Sequence, residues 1–337
     1  MNRRFYTSLL IIILIAFSST VLSAQTATEY YSKAKTLMNH GKLDSAAFYL
    51  YKALELSPDD LSMLEDQVYL EYLRRDFAKA ITIGKKIVTR ADAGIKTFQL
   101  AGMAFKEIAD YKEAKKVYEL GVAKFPNEGL LYAEYGDMYA AMNKKSDAIK
   151  IWEKGIEMDP GHSRNYYFAT LYYAENRNPL WAILYGENFV NIESLSERTT
   201  EIKGVITDLY KKISTPGYLA AKNNPFAAAV VATFSKQPPL SLSMLNVEAL
   251  TSLRMAFIKD WYLQNSNKFP FKLFEYHDQL IKEGMFDAYN QWLFGTSLNA
   301  AAYTAWIDAN KEKMATFQKF TGGRVYKIPA GQYYQTK

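Results

Sequence analysis

The chain has 337 residues, 49% of them hydrophobic and 23% charged, with a formal net charge of +6 and no cysteine. Those values exclude a largely disordered chain and leave either two ordinary domains or one elongated repeat array. The missing cysteine excludes disulfides, thiolate metal sites, cysteine nucleophiles and a lipid-modified N-terminal cysteine. Aromatic residues make up 15% of the chain, 26 of them Tyr, so their placement is the first thing to explain.

Residues 1–24 have the pattern of a secretory signal peptide. Arg3 and Arg4 precede the apolar run Leu9–Phe17, and small and polar residues follow to Ser23 and Ala24. Cleavage is expected between Ala24 and Gln25, with retention as an anchor the alternative. Loss of Arg3 and Arg4 lowers the formal charge from +6 to +4, a mild and scattered excess. Export and that small excess make nucleic acid an unsuitable target. The expected location is periplasmic or extracellular, with no integral membrane segment after cleavage.

From residue 25 to residue 196 the sequence repeats with a period of 34. Ala46, Ala80, Ala114, Ala148 and Ala182 lie in one column. Tyr30, Leu64, Phe98, Tyr132 and Tyr166 form a large apolar column, and Ala34, Val68, Gly102, Gly136 and Thr170 a mostly small one. Pro58, Pro126 and Pro160 close the first, third and fourth units, where Asp92 and Ser194 stand in the other two. Each unit predicts two helices joined by a short turn, such as 96–108 and 111–124. The small residues allow close helix approach, and proline ends the second helix. A single hairpin of this kind cannot bury both faces, so stacking on neighbours is required.

These columns resemble the tetratricopeptide repeat family over about residues 27–195. In the fifth unit Asn178-Pro179-Leu180-Trp181 departs from the usual turn. The resemblance implies an all-α solenoid of stacked antiparallel hairpins, with a concave surface on which the first helix of each hairpin meets a protein or peptide ligand. Mapped onto this sequence, that surface contains Tyr31, Lys35, Tyr69, Tyr72, Gln99, Met103, Lys106, Asp137 and Tyr167. The lining is mixed and rich in aromatic residues, which suits an apolar or amphipathic peptide. The Lys/Asn/Arg clamp with which chaperone-binding relatives hold a terminal carboxylate is not reproduced.

Residues 197–337 lose the period. Five prolines between 216 and 270 cut this region, and helices are expected over 198–213, 225–235, 245–264, 272–283, 285–293 and 300–320. Gly284-Met285-Phe286-Asp287 echoes a repeat turn, so 272–293 is expected to form a degenerate hairpin. Trp261, Trp292 and Trp306 point to a core belonging to this region, followed by an extended tail docked on the last helices.

No catalytic, cofactor or metal motif is evident. His40 and His162 are expected in solvated loops, without a partner at metal-ligand spacing. Glu275-Tyr276-His277-Asp278 is the one compact titratable cluster; a helix turns His277 away from Glu275 and Asp278. The expected function is therefore an exported adaptor or scaffold that binds another protein in an envelope-associated complex and is not an enzyme. The alternatives are a carbohydrate-binding protein using the C-terminal aromatic residues, or an enzyme with a site near Glu275 and Asp278.

Overall fold

The computed structural model describes residues 26–215, 217–221, 223–240 and 245–335. The expected signal peptide and its cleavage point lie outside the described residues. Every regular element among them is helical. The chain divides between Pro126 and Asn127 into two compact units.

The first unit contains three hairpins. They pair α1 (26–39) with α2 (Leu43–Leu56), α3 (Leu61–Leu73) with α4 (Phe77–Ile87), and α5 (Ile95–Glu107) with α6 (Tyr111–Lys124). The second unit begins with two more, α7 (Gly129–Ala141) with α8 (Lys145–Met158) and α9 (Ser163–Glu175) with α10 (Pro179–Ile192). Pro179 falls at the first position of α10, where no backbone donor is needed, so the fifth hairpin forms despite its altered turn.

The turn inside each hairpin explains the period in backbone terms. Gly41, Arg75, Ala109, Asn143 and Arg177, 34 residues apart, all have positive φ, between 54° and 69°. At each one, the next residue's N–H reaches back five residues: Lys42 to the Leu37 carbonyl at 2.9 Å, Asp110 to Phe105 at 3.0 Å, Asn178 to Tyr173 at 2.9 Å. This six-to-one closure satisfies a carbonyl that the helix end leaves unpaired. Glycine suits the left-handed conformation, yet only the first of the five positions has it.

Packing between the two helices of a hairpin is complementary. A Cβ on Gly102 would lie 2.4 Å from the Tyr118 ring, and one on Gly136 would lie 2.2 Å from Trp152 Nε1. In the fifth hairpin Gly186 on the second helix meets the small Thr170 on the first, 3.1 Å from a Cβ placed there, and Ile206 at 3.0 Å. In the third and fourth hairpins large faces small, which keeps the helices close. Leu64, Phe98, Tyr132 and Tyr166 are buried as the large apolar column requires, while Tyr30 at the array's start is half-buried.

Beyond the hairpins the second unit adds α11 (Glu197–Tyr210), α12 (Pro225–Phe234), α13 (Val247–Gln264), α14 (Lys272–Lys282) and α15 (Phe286–Asn290). A π-helical turn (Gln291–Gly295) leads into α16 (Thr296–Ala309), and α17 (Lys311–Gly322) follows. The expected helix over 300–320 breaks at Asn310, whose side chain bonds the Trp306 carbonyl at 2.9 Å and competes with the ladder. Gly284 has φ +68° and Met285 N–H reaches Leu280 at 2.8 Å. The α14–α15 turn therefore closes like the five repeat turns, as its sequence echo implied.

One expectation is corrected. Residues 197–337 do not have a core of their own. A single apolar core runs from Ala148 to Tyr333, and α10 lies inside it with twelve of its fourteen residues buried. An all-round apolar helix needs cover on every side, and α9 and α11 to α15 supply it. The extended tail docks not only on the late helices but also on α9 and α10. Tyr326 donates to Asn188 at 2.8 Å, Tyr334 stacks on Phe226 at 4.5 Å, and Gln335 donates to the Tyr173 hydroxyl at 2.7 Å.

Holding a non-glycine residue in the left-handed region costs on the order of 1 kcal/mol, against a smaller entropic cost of glycine in the unfolded chain. Ala109→Gly is therefore expected to stabilise the protein by about 0.5 kcal/mol, read as a higher urea midpoint for loss of helical circular dichroism with unchanged far-ultraviolet shape.

Candidate protein-binding surface

The first helices of the hairpins in the first unit are tied by side-chain bonds between successive repeats. Tyr31 on α1 donates to Asp66 on α3 at 2.7 Å, and Lys96 on α5 reaches the same carboxylate at 2.5 Å. Tyr72 on α3 donates to Glu107 on α5 at 2.7 Å. The second unit repeats the device, with Tyr167 on α9 donating to Glu201 on α11 at 2.8 Å and Arg164 on α9 bonding Glu134 on α7 at 2.7 Å. Burial and then Glu201 push the Tyr167 hydroxyl up to about 12.

The expected ligand positions thus fall into two groups. Tyr31, Tyr72 and Tyr167 are half-buried framework residues whose hydroxyls are committed to carboxylates of the next first helix, although their ring edges still reach the surface. Tyr69 is exposed, Lys35 is exposed with its ammonium 5.4 Å from the Tyr31 ring, and Gln99, Met103 and Lys106 are half-buried on α5. In the second unit Asp137 is half-buried on α7. The carboxylate partners were hidden in the sequence as an acid 34 or 35 residues after a tyrosine.

The cluster around residues 275–278 is not assembled into a site. Asp278 turns out to Lys282 at 2.5 Å, whereas His277 points into the core, 3.0 Å from Glu187 and 3.2 Å from Arg254. Trp261 is fully buried, and Trp292 lies under Lys203, whose ammonium is 3.5 Å from the ring centroid. Trp261 is therefore closed to a sugar, while Trp292 and Trp306 are half-buried against the core. His40 is exposed at its turn, but His162 is not solvated as expected. It packs on Gly129, and burial pushes its imidazole down. Among the described residues no group of three His, Asp or Glu side chains could hold a metal.

What sequence reasoning missed is the buried charge cluster centred on Glu187. Arg254 on α13 meets it at 2.5 Å and also reaches Asn290. Tyr210 donates to it at 3.2 Å. The guanidinium lies among the rings of Tyr210, Phe286, Tyr289 and Phe294, 5.1 to 5.6 Å away. Burial pulls the Glu187 carboxyl up, but Arg254 and then His277 outweigh it and hold it below the usual range. Burial, reinforced by Arg254, pushes His277 down to about 4, so it is neutral near pH 7 and donates to Glu187.

A signal for this cluster was present. Tyr51, Lys85, Glu153 and Glu187 share one column of the repeat. Each of the first three meets the residue twenty positions later on the next first helix: Tyr51 donates to Glu71, Lys85 lies over the Phe105 ring, and Tyr173 donates to Glu153 at 2.6 Å. Glu187 occupies that column where the repeats end, and Arg254 takes the partner's place.

Breaking a buried pair strands a charge and costs about 3–5 kcal/mol, whereas replacing both members by apolar groups costs less. Arg254→Leu is expected to lower unfolding free energy by that amount, and the double variant Glu187→Leu/Arg254→Leu to recover part of the loss in chemical denaturation. Glu153 gives a pH signature. Burial lifts its carboxyl to about 7 against the pull of the Tyr173, Tyr185 and Tyr333 hydroxyls. A raised folded pKa means that wild type loses stability as pH rises from about 4.5 to 7. His277, with a depressed pKa, acts in the opposite sense between about 4 and 6.5. Glu153→Gln, which cannot ionise, is therefore expected to gain up to about 3 kcal/mol relative to wild type between pH 5 and pH 8, measured by urea unfolding at each pH.

Comparison with known proteins finds one family model and several solved structures. Residues 30–60 match the model of the tetratricopeptide repeat. A thermophilic tetratricopeptide repeat protein of Thermus thermophilus is 14% identical, with 53% of this chain and 98% of that one covered at a TM-score of 0.44. A tetratricopeptide repeat protein from Parabacteroides merdae is also 14% identical, covering 88% of this chain and 99% of its own at 0.43. YrrB, described as having an unusual peptide-binding site, is 20% identical over 56% of this chain and 97% of its own, at 0.39. No curated protein matches the chain. The hairpins are all-α and share one turn geometry, the first of them matches the tetratricopeptide repeat, and in the second unit further helices pack on the last hairpin.

Proposed function

We propose that this protein is a non-catalytic scaffold that binds a protein or peptide on the first-helix face of its hairpins, and that it acts after export, within an envelope-associated complex. The observation that carries the binding reading is the tyrosine-to-carboxylate ladder. Tyr31–Asp66 and Tyr72–Glu107 fix α1, α3 and α5 against one another in the first unit. A face held this way is ordered before any ligand arrives, so little side-chain freedom remains to be lost on binding. Between the ladder bonds, exposed Tyr69 and half-buried Met103 offer aromatic and thioether surface, which suits an amphipathic segment more than a charged one. The exported setting is supported by the pattern of residues 1–24.

A photo-crosslinking residue at Tyr69 in cells is expected to yield a discrete protein adduct in the envelope fraction, and one at Thr82, on a second helix, is expected to yield none. Met103→Glu is expected to weaken recovery of that adduct at least about tenfold, as loss of an interface anchor does. Absence of any adduct at Tyr69, or equal labelling at both positions, refutes the proposal.

A further inference from the structure

The C-terminal tail lies on the second unit as a bound peptide would. Residues 323–335 belong to no helix or strand, and Gly322 to Val325, Lys327 and residues 329–331 are exposed. Side chains fix the tail in place. Tyr326 donates to Asn188 on α10 at 2.8 Å, and Gln335 donates to the Tyr173 hydroxyl on α9 at 2.7 Å. The Gln332 side chain accepts from the Lys272 N–H at 2.6 Å, and the Tyr334 carbonyl accepts from the Asn224 side chain at 2.6 Å.

The seat matches these residues in shape and in polarity. The Tyr334 ring stacks on Phe226 at 4.5 Å, with Phe269 and Phe271 5.8 and 6.2 Å away, and its hydroxyl donates to the Pro270 carbonyl at 2.7 Å. Tyr333 beside it is buried, with its hydroxyl bonded to Glu153 on α8. An empty seat would open the Phe226 ring, now 1% exposed, to water and would take from Glu153 one of its hydroxyl donors. The seat therefore requires an occupant with the chemistry of the tail.

Nothing in those contacts requires the tail to come from the same molecule. α17 ends at Gly322, where an added Cβ would meet nothing within 4 Å, and Gly323 follows. Two glycines leave the chain free to turn back onto its own body or to swing away from it. A tail seated in a second molecule makes the same bonds there, so exchange costs little beyond the tether, which holds a molecule's own tail at an effective concentration in the mM range. We propose that the seat formed by α9, α10, α12 and the α13–α14 connection is a peptide site filled in cis, and that it takes the same tail from a second copy of this chain. Exchange would couple two scaffolds, and it does not depend on what the first-helix face binds.

The probe is a fluorescent peptide of residues 323–337, added to the full chain and read by anisotropy. The tethered tail of wild type competes with it. Tyr334→Ala, whose own tail has lost its ring, is therefore expected to bind the peptide at least about tenfold more tightly than wild type does, with unchanged helical circular dichroism. The peptide carrying Tyr334→Ala is expected to bind at least about tenfold more weakly than the natural one. Gln335→Ala, a milder change, gives the same order should the first variant not fold. For exchange between copies, chains with light and heavy nitrogen, each with a photo-crosslinking residue at Gln335, are mixed at about 1 mM. Adducts that join position 335 of one label to α9 of the other are expected. Equal affinity of wild type and both variants for the peptide, equal binding of a scrambled peptide, or adducts confined to one label overturns the proposal.

Discussion

A hairpin of two short helices has more apolar surface than its own two helices can cover, and that constraint governs both units of this protein. Within a hairpin the problem is solved by size matching, with Tyr118 seated on Gly102 and Trp152 on Gly136. Between hairpins it is solved by large apolar side chains such as Phe98 and Tyr166, which are almost completely buried. A stack must nevertheless stop, and the last hairpin presents a face built for a neighbour that the period no longer supplies. Here that face belongs to α10, and the C-terminal helices cover it.

The cover is chemical as well as steric. Glu187 sits on α10 in a column whose members reach the next first helix, and without a counter-charge it would be an uncompensated buried carboxylate. Arg254, His277 and Tyr210 converge on it from α13, α14 and α11. Charges buried this completely add little net stability compared with apolar packing, but they tolerate only one register, since any slip separates them. The pair thus acts as a key between the repeat array and the helices that close it. The tail adds a second tie, with Tyr333 and Gln335 at the Glu153–Tyr173 pair one repeat earlier.

The first-helix face follows from the same arrangement. First helices are cross-linked through tyrosine hydroxyls and carboxylates, which makes a rigid and nearly charge-balanced face.

The sequence by itself determined the hairpins. A 34-residue period fixes where helices begin, where proline ends them and which columns are large or small, because those demands are local and recur in every unit. Even the degenerate turn at Gly284 was legible, since a left-handed turn residue with its backward hydrogen bond needs only a few neighbouring positions. The tertiary structure decided everything that joins residues without a fixed spacing. Glu187 and Arg254 are 67 positions apart, and Asn188 and Tyr326 are 138 apart, and no local pattern links them. For the same reason His277 looked like a member of the Glu275–Asp278 cluster, although the helix turns it to a partner on α10. The aromatic residues of the second half looked like a separate core or a sugar platform, and folding made them the lining of the core shared with α10. Periodic contacts leave a periodic mark on a chain; contacts that close an array occur once, and only the folded molecule shows them.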